Sequence, residues 1–170
     1  MPANKKKTVK RAVKLDLAAL EELLEANRPS EALEKLVSAR TKDAAAWFLT
    51  GEAQRQLGSF EDALKSYAKA LQLADEAETR MDVLLAMAAC YRTLGHSAAA
   101  YELAQDALNM AQELEYDEFV VRAMQEMGMA LRAWGRLEEA LDLLDAVLAA
   151  YTQLKDYAGM SFIHWAKGGI

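Results

Sequence analysis

Three arginines share one register in this chain. Arg55, Arg92 and Arg132 each lie three residues before a glycine, namely Gly58, Gly95 and Gly135. A guanidinium is a permanently charged fork that grips a carboxylate through two parallel hydrogen bonds, so a row of them suits an acidic ligand. The competing role is local, because a cation just before a turn offsets the partial negative charge on the carbonyls that end a helix. The remaining reactive side chains are scattered. His96 directly follows Gly95 and reads as a solvated turn residue, and His164 lies among apolar residues and reads as packing. Two distant histidines without a cysteine or carboxylate cluster make no metal site. Cys90 sits beside Ala88, Ala89 and Tyr91, the setting of a small core residue, and a nucleophile would need a base at hand. The acid pairs Glu61-Asp62 and Glu138-Glu139 follow turns and suit the positive end of a helix better than catalysis. No glycine loop of the phosphate-binding kind occurs. The expectation is a protein without catalytic residues, metal or cofactor.

These residues are carried by a chain of 170 residues, 53% hydrophobic and 27% charged, with a single cysteine and two prolines. That length can bury a real core, and one cysteine excludes an internal disulfide framework. Alanine and leucine, the strongest helix formers, dominate, while β-branched residues are sparse, so the chain is expected to be all helical. No apolar run is long enough to span a membrane. Charge is divided unevenly: residues 1–14 hold six of the 20 basic residues and no acid, leaving 14 bases against 26 acids in the rest. Residues 1–12 are read as a disordered basic arm. The acidic body speaks against nucleic acid as the main ligand. Lys14 and Asp16 interrupt any signal-peptide core, so a cytoplasmic protein is expected.

The elements that position the arginines follow from internal repetition. Aligned on Leu57-Gly58, Leu94-Gly95 and Trp134-Gly135, the chain repeats at spacings of 37 and 40 residues. Seven residues before each glycine stands a small residue (Gly51, Ala88, Gly128), and eleven before stands a large apolar one (Trp47, Leu84, Met124). Five after comes alanine each time (Ala63, Ala100, Ala140), nine after come Tyr67, Ala104 and Leu144, and twelve after come Ala70, Ala107 and Val147. Small residues let two helix axes approach, large ones fill the grooves between side-chain ridges, and glycine suits the left-handed residue that ends a helix. Ser59 and Ser97 suit the start of the next helix. Each unit is therefore helix–turn–helix, with an A helix before the glycine and a B helix after it.

At these slots the chain resembles the tetratricopeptide repeat family. Its second unit reads Trp47, Gly51, Leu57-Gly58, Phe60, Ala63, Tyr67 and Ala70, matching the family signature slot by slot. The longer spacing resembles the variety of about 37–40 residues. The resemblance implies an all-α right-handed superhelix of about four helix pairs plus a partial fifth A helix. The units fall at approximately 13–42, 43–78, 79–116 and 117–155, with a partial one at 156–170. In the first, Asn27 stands in for the glycine, Leu20 replaces the small residue and Asp16 the large one, as in a capping repeat.

In this family the A helices line a concave groove. The register then assigns Phe48, Glu52, Arg55, Gln56, Asp82, Leu85, Ala89, Arg92, Arg122, Gln125, Met129 and Arg132 to that surface. The implied function is a non-enzymatic scaffold that binds another protein's segment, an extended peptide or amphipathic helix with anchors and acidic groups. Family members that clamp chaperone tails use Lys and Asn where Phe48 and Glu52 stand here, so chaperone tails are not expected. The alternative is self-assembly. The fifth unit would place its loop glycine near position 175, and Met160, Phe162, Ile163 and Trp165 point all round its A helix. A fragment of a longer array, or an end covered by another molecule, is the corresponding expectation.

Overall fold

The structure, a computed structural model, describes residues 15–39 and 43–169. The basic-arm assignment of residues 1–12 lies outside the described residues. Among the described residues there are nine helices and no strand: α1 (Leu17–Glu25), α2 (Pro29–Ala39), α3 (Ala44–Gln56), α4 (Phe60–Leu73), α5 (Ala77–Thr93), α6 (Ser97–Glu113), α7 (Asp117–Trp134), α8 (Leu137–Leu154) and α9 (Tyr157–Lys167). Few residues separate successive helices, so consecutive helices are antiparallel and the odd-numbered helices all run in one direction. Odd helices also pack on their odd neighbours (α1 on α3, α3 on α5, α5 on α7), which makes the superhelical array expected from the repeats.

The turns show why glycine recurs. Ser59 N–H donates to the Gln54 carbonyl at 2.8 Å and Gly58 N–H to that of Arg55 at 3.0 Å, a pairing that requires a left-handed residue at Gly58, where φ is 77°. Gly95 and Gly135 close α5 and α7 in the same way, and Asn27 does so for α1 with φ of 56°. Two B helices also end on left-handed residues that are not glycine, Glu115 and Lys155. The end of α4 uses neither device. Arg80 instead reaches back to the carbonyls of Leu71 and Ala74.

Side-chain caps fall on the A helices. Asp16, Asp43 and Asp156 accept from Ala19, Ala45 and Gly159 N–H. Ser59 precedes α4 without a side-chain cap bond, and Ser97 lies inside α6 behind His96, so the serine caps expected at these starts are not made. Asp16 caps α1 and therefore holds no packing slot of that short helix.

The small slots are filled by the helix behind them. A Cβ at Gly51 would overlap the ring of Tyr67, which is fully buried, and one at Gly128 would sit 2.8 Å from Leu144 Cδ2. At the middle unit Ala88 and Ala104 share one buried cluster. Residue size is thus traded across the helix pair, a glycine opposite a large side chain and an alanine opposite an alanine, as dense packing demands.

Candidate functional site

The A helices α3, α5 and α7 enclose a cavity of about 310 Å³, lined by Phe48, Glu52 and Arg55 from α3, Asp82, Leu85, Ala86 and Ala89 from α5, and Arg122, Gln125 and Glu126 from α7. Leu85 is only 5% exposed but forms the floor with Ala86 and Ala89. Small residues in the middle helix, flanked by longer ones on each side, leave a trough rather than a ridge. Eight of these residues stand where the register put them. Ala86 and Glu126 did not enter that reading.

Charge in the trough is paired off. Arg55 makes a two-pronged contact with Glu52, with Nη2 at 2.6 Å and Nε at 3.3 Å from the two carboxylate oxygens. Arg122 Nη2 lies 2.7 Å from Asp82 Oδ1, and Arg92 Nη2 lies 3.4 Å from Glu126 Oε2. The last two bridge α5 to α7 and act as lateral ties between adjacent units. The arginine row is therefore not a ladder of free guanidiniums: Arg55 and Arg92 already hold carboxylates of this chain. Arg132 differs. It makes no ion pair among the described residues, and its Cζ sits 5.7 Å over the exposed ring of Trp165 on α9.

Two tyrosines come from the B helices to fix the walls, Tyr67 fully buried and Tyr151 half-buried. Tyr67, from α4, fills the space left by Gly51 and donates its hydroxyl to Glu52, while its ring lies 5.9 Å from that of Phe48. Burial, and then the charge of Glu52, push the Tyr67 phenol far above its usual range, so it stays a donor. Tyr151, from α8, donates to Gln125 Oε1 at 2.9 Å, which leaves the amide donors of Gln125 for other partners. Burial pushes the Cys90 thiol up to about 11, so it is protonated at neutral pH and belongs to the core around Tyr67.

Several assigned residues lie elsewhere. Met129 is 4% exposed and packs with Leu144, Val147 and Ile163, so it is core rather than groove lining. Ile163 is fully buried in that same cluster and is withdrawn from any assembly surface. The reason is α9, whose inner face closes the α7–α8 pair. Met160 and Phe162 are half-buried, and Trp165 stays 64% exposed. Gln56 ties α3 to α1 through the Leu24 carbonyl. His164 is exposed, not packed. The Asp82–Arg122 tie had a legible signal, since the two occupy one register on adjacent units with opposite charge. Tyr67 reaches the groove because Gly51 opens a path, and Tyr151 reaches it across the α7–α8 pair, which no local pattern announces. Among the described residues no three His, Cys, Asp or Glu side chains gather as metal ligands, and no helix is long and apolar enough to cross a membrane.

Comparison with known proteins gives two family matches, both described as tetratricopeptide repeat, at residues 44–77 and 79–153. Curated relatives include the photosystem I assembly protein Ycf3 of Synechococcus sp. (strain CC9605) and of Parasynechococcus marenigrum (strain WH8102), each 28% identical over 103 residues. Those matches cover 61% of this chain and 56% of the relative, so the chain spans about half the length of the curated relatives it matches. Among solved structures, MamA is similar with a TM-score of 0.63 at 20% identity, covering 83% of this chain and 74% of that one. Kinesin light chain TPR-like repeats from Podosopora anserina are similar with a TM-score of 0.66 at 17% identity, covering 90% and 85%.

Proposed function

This chain belongs to the tetratricopeptide repeat family, and on that premise we propose that it is a non-enzymatic scaffold whose concave trough between α3, α5 and α7 binds an extended segment of a partner protein. The fold is that of a protein–protein interaction scaffold. The observation that carries the trough assignment is its lining: an apolar floor of Leu85, Ala86 and Ala89 below walls of paired charges and the amide of Gln125. Apolar anchors of a bound segment would enter the floor, and its backbone would meet the Gln125 donors at the wall. Because the acids and arginines are balanced, a uniformly acidic ligand fits less well than one carrying both signs. Such a ligand can exchange partners with the ion pairs without leaving a charge unpaired. The match to a photosystem I assembly protein is in keeping with a role in holding other proteins.

Selection of a displayed library of random dodecapeptides tests the assignment. The unaltered chain is expected to enrich a sequence family with apolar anchors, and Ala89→Trp, which fills the trough, is expected to enrich none while keeping its helical circular dichroism. Equal enrichment by both proteins would reject the trough.

A second reading, self-assembly through α9, has its own observation in the exposed Trp165 and the half-buried Met160 and Phe162 beside it. Sedimentation across a concentration series decides it. Association that Trp165→Asp abolishes supports stacking of copies, and a monomer at every concentration rejects it.

A further inference from the structure

Arg55, Arg92 and Arg122 each hold a carboxylate of this chain, whereas Arg132 makes no ion pair among the described residues. The sequence register explains the difference. Helices α5, α7 and α9 begin at 77, 117 and 157, so they share one register at a spacing of 40. Arg92 takes its acid from Glu126, and the slot equivalent to Glu126 on α9 is Ala166, which is fully buried and carries no charge. No other acid takes over. Glu126 is held by Arg92, and Asp145 is held by Lys167 of α9. Asp117, Glu118 and Asp156 rim a cleft of about 660 Å³ between the start of α7 and the end of α8. They stand at the starts of α7 and α9, whereas Arg132 lies in the last turn of α7. At 1.5 Å per residue that is about 20 Å away.

The unpaired guanidinium is nonetheless fixed in place. Its Cζ lies 5.7 Å over the Trp165 ring, and a Cβ at Gly169 would fall 2.5 Å from Nη2. Its Nε is buried without a hydrogen-bond partner, although buried donors are nearly always paired. The surface beside it continues the groove. Phe162 and Trp165 hold on α9 the register of Arg122 and Gln125 on α7 and of Asp82 and Leu85 on α5, and those four line the trough. The Phe162 and Trp165 rings lie 5.6 Å apart, and Trp165 is 64% exposed. A held cationic fork next to exposed aromatic rings suits a carboxylate with an apolar neighbour. We propose that Arg132 receives the carboxylate of an aspartate or glutamate in the partner segment, with an apolar neighbour of that residue on Phe162 and Trp165. This rests on the trough assignment and adds the place of one acid to it. Arg132 stands one helix spacing, about 8–10 Å, across from the floor residue Ala89. An extended segment covers that in about three residues. A single acid is specified, because the arginines of the trough are already paired.

The displayed dodecapeptide library, panned on the unaltered chain, Arg132→Gln and Arg132→Glu, tests it. The unaltered chain is expected to enrich Asp or Glu at one fixed offset from the apolar anchors. Arg132→Gln should enrich the same anchors with that offset at the library background, and Arg132→Glu should prefer Lys or Arg there. The acidic peptide selected on the unaltered chain, made with an amidated C-terminus, should bind Arg132→Gln about fivefold more weakly, the scale of one charge-assisted contact at a half-open site. An acid preference that survives in Arg132→Gln overturns the proposal and leaves the trough standing. So does loss of the anchors together with the acid, which would make Arg132 a structural residue. Self-association that Arg132→Gln abolishes, with the acid preference intact, would assign the guanidinium to a second copy instead. No enriched family from the unaltered chain rejects the trough and this proposal together.

Discussion

Two compartments meet at Arg122, and they hold charge in opposite ways. In the trough between α3, α5 and α7 every acid has an arginine: Glu52 with Arg55, Asp82 with Arg122, Glu126 with Arg92. In the cleft between α7 and α8 the rim acids Asp117, Glu118 and Asp156 face no lining cation that is not already bound. Both are built by the same helix–turn–helix unit. The difference shows that the repeat fixes shape, whereas the few side chains that face outward fix which ligand the shape accepts. A balanced surface selects by shape and hydrogen bonding, and an unbalanced one selects by charge.

The small slots of α3 and α7 press against side chains of different stiffness. Gly51→Ala forces a methyl group into the rigid ring of Tyr67, whereas Gly128→Ala meets the movable tip of Leu144. Urea unfolding should show a loss of about 3 kcal/mol for the first and about 1 kcal/mol for the second, within the range for overpacking. Equal losses would mean that Tyr67 is free to move and does not fix the trough wall.

A smaller effect follows at the hydroxyl itself. Tyr67→Phe leaves Glu52 without its buried donor and should cost about 1.5 kcal/mol, while Tyr151→Phe, in a more open wall, should cost less than about 1 kcal/mol. Thermal or urea unfolding of the pair checks the order. Smaller still is the tie between α5 and α7. Both side chains are more than a third exposed, so a double-mutant cycle with Asp82→Asn and Arg122→Gln should return a coupling of about 0.5 kcal/mol that shrinks with salt. Asp117→Asn in the cleft should change stability by less than about 0.5 kcal/mol, because relief of repulsion on the acidic rim offsets the loss of an acid at the start of α7.

How far the sequence discloses this depends on the kind of interaction. The turn glycines and small slots are legible because they answer local steric demands: a left-handed residue after α3, α5 and α7, and room for Tyr67 and Leu144. The left-handed Glu115 and Lys155 are not, since their residue types carry no such preference. The trough was placed by register, but the state of its arginines was not. Whether Arg92 is free depends on Glu126 of the next A helix, a lateral relation that the repeat alignment does not encode. Met129 and Ile163 looked available for the same reason, because only the docking of α9 shows that they cover each other.

The proposed function places a partner segment in the trough. Replacing Phe48 in its wall by the photo-cross-linking analogue benzoylphenylalanine, with Glu102 on the exposed face of α6 replaced likewise as control, puts it to the test in the source cells. A discrete protein adduct is expected from position 48, abolished by Ala89→Trp, and none from position 102. Adducts of the same kind from both positions, or from position 102 alone, would contradict it.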